Sequence, residues 1–178
     1  MPEYRRLRIP GGCYFFTVAL ANRRSSLLVD HVALLRDAVA RTQQSLPFEI
    51  DAFVVLPEHL HAIWTLPDGD DDFSARWRLI KMLFSNSVAG GETISASRKS
   101  QGERGIWQRR FWEHAIRDDR DYAAHFDYVH FNPVKHGLVS HVADWPYSTF
   151  HRCVTRGLYP ADWSQDLKDG AFGERPAP

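Results

Sequence analysis

The spacing of hydrophobic residues changes along the chain, and each change marks an element. Cys13-Tyr14-Phe15-Phe16-Thr17-Val18-Ala19-Leu20 is an aromatic and β-branched run behind Pro10-Gly11-Gly12, which predicts a buried strand. Between His31 and Leu46 the apolar residues Val32, Leu34, Leu35, Ala38 and Val39 recur at helical spacing behind a candidate Asp30 cap, predicting the first helix. Phe48–Leu56 predicts a second strand, Pro57-Glu58 a turn and His59–Leu66 a third strand, so that the pair forms an antiparallel hairpin. An acidic loop, Asp68-Gly69-Asp70-Asp71-Asp72, leads into Phe73–Val88, where Trp77, Ile80, Lys81, Leu83 and Phe84 mark an amphipathic second helix. Residues 89–105, rich in glycine and serine, read as a polar loop, and Ile106–Ile116 as a fourth strand. Asp118-Asp119 can cap a third helix from about Arg120 to Tyr128 and beyond, with Pro133 limiting its regularity.

The order strand, helix, strand, strand, helix, strand, helix predicts an α+β, ferredoxin-like split βαβ fold. Its central antiparallel sheet carries helices on one face, and a further helix carries Tyr128. With 178 residues the chain fits one domain over residues 1–150, followed by a C-terminal extension over 151–178 that is partly flexible. No apolar run approaches the roughly 20 residues that span a bilayer, and the first residues lack the apolar core of a secretory signal, so a cytoplasmic protein without membrane contact is expected. Cys13 and Cys153 lie too far apart for a thiolate metal motif and read as buried or incidental thiols. A net charge of zero hides a segregation. Arg5, Arg6, Arg8, Arg23 and Arg24 crowd the first 24 residues, and residues 74–117 carry nine Arg or Lys against three Glu. Arginine forks onto phosphate and stacks on bases, so a basic face for nucleic acid stands beside the plainer reading of a solvated surface.

Two constellations carry chemistry. In the third strand His59 and His61 are two residues apart, so both imidazoles point to one face while Leu60 points to the other. That is half of a divalent-metal site, or else two unconnected histidines. In Asp127-Tyr128-Val129-His130-Phe131-Asn132-Pro133-Val134-Lys135-His136-Gly137-Leu138, a continuing helix would put Tyr128 and Asn132 on one face at i and i+4. Asn132 could then complete a facial ligand set with the two histidines. A phenol, with a pKa of about 10, is a poor nucleophile near neutrality, and a metal on a scissile phosphate relieves this. The alternative is that Tyr128 simply covers the sheet.

These residues together resemble a known family. Tyr4-Arg5-Arg6 with Pro10-Gly11 and Tyr14-Phe15-Phe16-Thr17, then Pro57-Glu58-His59-Leu60-His61, then Trp107-Gln108-Arg109-Arg110-Phe111-Trp112-Glu113-His114, then the Tyr128–Val139 segment and Trp145-Pro146-Tyr147-Ser148 are similar to the REP-associated tyrosine transposases. These are single-tyrosine relatives of insertion-sequence transposases within the HUH endonucleases, and the match runs from about residue 4 to 150. The resemblance implies that His59 and His61 bind Mg²⁺ or Mn²⁺, with Asn132 where related enzymes supply a third ligand. It implies that Tyr128 attacks a phosphodiester, giving a 5′-phosphotyrosine and a free 3′-hydroxyl. The substrate implied is a short palindromic, REP-like DNA hairpin with a single-stranded guide, and the working form a monomer or a homodimer. Arg5, Arg6 and Arg8 would then track the guide, and Arg76, Arg78, Lys81, Arg109 and Arg110 would hold hairpin phosphates. Lys135 would reach the scissile phosphate or the phenolate, or stand solvated. Trp77, Trp107 and Trp112 read mainly as core, and His114, His125, His130 and His136 as structural. Two other readings use the same residues: a hairpin-binding protein that does not cleave, and an unrelated metal hydrolase of small molecules.

Overall fold

The computed structural model describes residues 7–90, 94 and 96–164. Its two central strands are β1 (Cys13–Ala19) and β3 (His59–Thr65), paired antiparallel from Cys13 opposite Thr65 to Ala19 opposite His59. Both faces of these strands are covered, which explains why they read as continuous apolar runs instead of alternating ones. Outside them lie β2 (Glu49–Val55), against β3, and β4 (Trp112–Ala115), against β1. The order is β2-β3-β1-β4 with every neighbouring pair antiparallel. This is the expected split βαβ arrangement.

Residues with side chains on one sheet face, Tyr14, Phe16, Val18, Leu60, Ala62 and Trp64, join a core with α2 (Val32–Ser45) and α3 (Phe73–Ser87). Its centre is aromatic: the Trp64 and Trp77 rings stack at 4.2 Å, and Phe16 meets Trp77 edge-on at 5.5 Å. Such pairs each contribute about 0.5–1.5 kcal/mol beyond their buried area. The opposite face, with Phe15, Val54 and Ile63, is covered by α5 (Asp119–Lys135) through Tyr128 and Val129. Asp118 caps α5 by accepting from the Asp121 amide at 2.8 Å. At the other end Gly137, at φ 67°, reverses the chain. Its amide donates to Val134 O, and that of Leu138 to Pro133 O, both at 2.9 Å, the paired bonds of a glycine C-terminal cap.

Several boundaries differ from the expectation. The third helix does run past Tyr128, through Pro133 to Lys135, the continuation that puts Tyr128 and Asn132 on one face. The fourth strand keeps only four residues. Side chains take the carbonyls of the segment before it, Arg98 donating to Trp107 O at 3.1 Å and Lys81 to Gln108 O at 3.0 Å, and a lone bridge joins Trp107 to Leu20. Asp30 caps nothing: it lies in α1 (Leu27–Asp30) and accepts from the Ser26 hydroxyl at 2.5 Å, while His31 precedes α2. Within 89–105 sits a single helical turn, α4 (Ala96–Lys99). The boundary expected at 150 falls inside a packed cluster: α6 (Phe150–Thr155), Tyr159 and Trp163 bury against Phe126, Phe131 and Val134 of α5. The second half of the expected flexible extension, residues 165–178, lies outside the described residues. No described helix is long and apolar enough to cross a membrane.

Arg76 is a correction. Its side chain is 1% exposed and donates to both Asp70 oxygens, at 2.7 and 3.1 Å, and to Pro47 O and Asp72 O, so the guanidinium is spent inside the protein. The Arg76 hydrogen bond in turn holds the Asp70 carboxyl below its usual range. Arg76→Met should cost roughly 2–3 kcal/mol in urea unfolding, less than a fully buried pair because Asp70 keeps access to water. A variant of unchanged stability but weakened DNA affinity would return Arg76 to phosphate binding.

Candidate functional site

Strand period and helix period meet on the α5 face of the sheet. His59 and His61 both point there, their ring centroids 5.0 Å apart and nearly perpendicular. The Tyr128 ring packs edge-on against His61 at 5.3 Å, so the strand-borne imidazoles and the helix-borne phenol share one site. Each histidine is held by its Nδ1: His59 against Glu58 Oε1 and His61 against Thr17 Oγ1, both at 2.9 Å. A partner on Nδ1 fixes the ring and its tautomer and leaves Nε2 as the ligating atom, the arrangement that orients metal-ligating histidines. Burial pushes the Glu58 carboxyl up, but the His59 hydrogen bond and charge and Arg23, at 3.4 Å, bring it below its usual value.

Asn132 lies one turn beyond Tyr128 on the same buried face. Its Nδ2 donates to the Tyr128 carbonyl at 3.3 Å, which leaves Oδ1 buried with no hydrogen-bond partner. A buried amide oxygen left so costs about 1–3 kcal/mol, and a cation is what such an oxygen can satisfy. Two oriented imidazoles and this oxygen therefore fit a divalent ion. Lys135 donates to the Tyr128 hydroxyl at 3.1 Å, with its ammonium 4.6 Å from the ring centroid.

Other expected residues are placed differently. Arg5 and Arg6 lie outside the described residues. Arg8 is exposed but pairs with Asp71 at 3.2 Å, so the acidic loop that looked segregated in sequence takes up both Arg8 and Arg76. Arg78, Arg109 and Arg110 are exposed, with Arg109 bound to Glu103 at 3.0 Å. Arg78, Lys81 and Arg109 line a cavity of about 510 Å³ together with Arg98, Arg104 and Trp107. That cavity shares Trp77 and Trp107 with the α3-side core, on the sheet face away from Tyr128.

Residues read as incidental also belong here. Trp77 and Trp107 are core, but Trp112 is 41% exposed. Its partner across the sheet is Thr17, whose own partner is His61, so all three point to the tyrosine face. The His136 ring lies 5.0 Å from that of His59. Tyr128, Asn132, Lys135 and His136 are spaced four, three and one, a single helical face, and that spacing could have flagged His136.

The lowered Glu58 carboxyl makes the site acid-sensitive in a defined direction. A depressed native pKa adds stability above the reference value of 4.5, and that stability is lost as pH falls through the native value. Glu58→Gln should therefore lose less stability than the wild type between about pH 5 and 3 in denaturant titrations. Parallel acid limbs for the two proteins would show that the Glu58–His59 contact contributes nothing.

No family model matches the chain. It is similar, at 55% identity over 98% of both chains, to the REP-associated tyrosine transposase of Escherichia coli strain K12. A Haemophilus influenzae protein assigned to the same family is 46% identical over 94% of this chain and 97% of its own. A solved REP-associated tyrosine transposase, bound to a REP hairpin, superposes with a TM-score of 0.87 at 54% identity, with both chains covered completely. Fold and relatives agree, and the chain belongs to the REP-associated tyrosine transposases.

Proposed function

We propose that this protein is a single-stranded DNA endonuclease and strand-transferase that acts on REP-like palindromic hairpins through a 5′-phosphotyrosine on Tyr128. The observation that carries the reading is the packing of the Tyr128 ring on His61, within a site that also holds His59 and the unpartnered Asn132 oxygen. The hairpin substrate rests on the solved relative, which is bound to one.

His59, His61 and Asn132 would hold Mg²⁺ or Mn²⁺, which when bound supplies charge neutralisation at a scissile phosphate. The Tyr128 oxygen attacks phosphorus, the bond to the 3′-oxygen breaks, and that oxygen leaves as a free hydroxyl. The phosphotyrosine conserves the bond energy, so a second 3′-hydroxyl can reverse the step and join strands. Lys135, already at the phenol oxygen, stabilises the negative charge that develops there as the phenolic proton leaves. Trp112, exposed on the same face, offers a stacking surface for an unpaired base, worth about 1–3 kcal/mol. Arg78, Arg109 and Arg110 remain available to phosphates at the surface.

Tyr128→Phe should abolish both cleavage and the covalent protein–5′-end adduct while a gel-shift assay with the hairpin shows wild-type affinity. Cleavage by Tyr128→Phe at the wild-type rate would remove the nucleophile assignment. Retardation without any cutting by the wild type, in Mg²⁺ and in Mn²⁺, would leave a hairpin-binding protein that does not cleave.

A further inference from the structure

A second group of ligating side chains lies outside the site just described. His114 stands on β4 opposite Phe15, Asp121 lies in the first turn of α5, and His125 follows one turn later. One ligand atom from each, two nitrogens and a carboxylate oxygen, all lie within 4.8 Å of one another. We propose that His114, Asp121 and His125 form a second metal site, for a zinc-class transition ion, that clamps the edge strand β4 to the start of the tyrosine helix.

The spacing is close to what such an ion requires. His114 Nε2 is 2.8 Å from Asp121 Oδ2, and His125 Nδ1 is 3.1 Å from Asp121 Oδ1. Ligands about 2.0–2.1 Å from a tetrahedral ion are separated by about 3.3 Å, so each histidine already stands near its distance from the carboxylate, while the two nitrogens lie within 4.8 Å of each other. The two imidazole rings are stacked, with centroids 4.6 Å apart, so at least one ring turns to bring both in-plane lone pairs onto one ion. Two imidazoles and one carboxylate suit zinc-class ions better than Mg²⁺, which prefers oxygen. The half-buried His114 leaves room for water as a fourth ligand.

The protonation states agree with this geometry. Burial pushes the His125 imidazole down, which favours the neutral ring that binds metal. Burial pushes Asp121 up, but hydrogen bonds from His114 and Arg117 bring its carboxyl down to about 2, so it is ionised throughout the neutral range. On binding, His125 Nδ1 exchanges its 2.8 Å contact with Asp121 O for the ion, and any displaced ring proton goes to solvent. Arg117, whose Nε lies 3.3 Å from Asp121 Oδ2, is the opposing charge; its side chain is 74% exposed and free to swing into water.

This site is separate from the histidine pair but mechanically joined to it. The Phe15 ring contacts His125 at 4.9 Å on one side and His61 at 5.5 Å and Tyr128 at 6.0 Å on the other. An ion at the clamp would fix the helix two turns before Tyr128.

The test uses Zn²⁺ and Co²⁺ alone, titrated into metal-stripped full chain by calorimetry and followed by the visible absorption of bound Co²⁺. The wild type should take up a second equivalent beyond that of the histidine pair, and a His59→Asn/His61→Asn variant should keep one. Adding His114→Gln, which retains an amide to donate to Asp121, should weaken that remaining binding by more than about tenfold. No binding by the His59→Asn/His61→Asn protein, or binding that survives both His114→Gln and His125→Gln, would overturn the proposal. If the double variant does not fold, the comparison of wild type with His114→Gln decides. Two equivalents falling to one support the clamp, and an unchanged count removes it.

Discussion

The structure depends on a buried helix face that is polar where it should be greasy. Asp121, His125, Tyr128 and Asn132 follow one another at intervals of four, three and four along α5, and the helix turns this stripe toward the sheet, with Lys135 and His136 continuing it into solvent. Burying such a stripe is costly unless its groups find partners, and the sheet supplies neighbours in register for three of them, the Asn132 oxygen being left over. His114 meets Asp121, Phe15 meets His125, and His61 meets Tyr128. The apolar contacts of Val129 with the same face provide the compensating burial. Rotation of this helix by one residue would break every pairing together, so the arrangement is specified as a unit.

The fold was legible because its central strands are so apolar. Runs such as Tyr14–Leu20 and His59–Leu66 have few alternative uses, and the element order then admits few topologies. Boundaries were less legible where side chains compete for the backbone. Arg98 and Lys81 hold the carbonyls of Trp107 and Gln108, contacts that reach across sequence, and the stretch joins the sheet only through the bridge of Trp107 to Leu20. Pro133 was expected to disturb its helix, yet it falls in the last turn, where only the Val129 carbonyl loses its partner and a glycine cap closes the end.

Half of the site could be read from period alone: two histidines on one side of a strand, a tyrosine and an asparagine on one side of a helix. Period could not reveal the groups that hold them. Glu58 sits beside His59 in the chain and was read as part of a turn, while Thr17 reaches His61 only through strand pairing. Charge was the weakest guide. The arginines Arg8 and Arg76 look alike in sequence to Arg78, but they answer the acidic loop at 68–72, an intramolecular pairing that a count of charges along the chain cannot show. Trp112 was misread for the related reason that an edge strand leaves one aromatic face uncovered.

The phenol of Tyr128 is only 1% exposed, and the exposed side chain that lies over it is Lys135. Its ammonium donates to the phenol oxygen, a hydrogen bond strengthened by the charge of the donor. The phenol is thus covered on this side by one long, solvent-facing side chain instead of by packed core. Uncovering the hydroxyl then asks for the swing of a single surface rotamer and no unfolding, a motion far faster than any rearrangement of the helix that carries it.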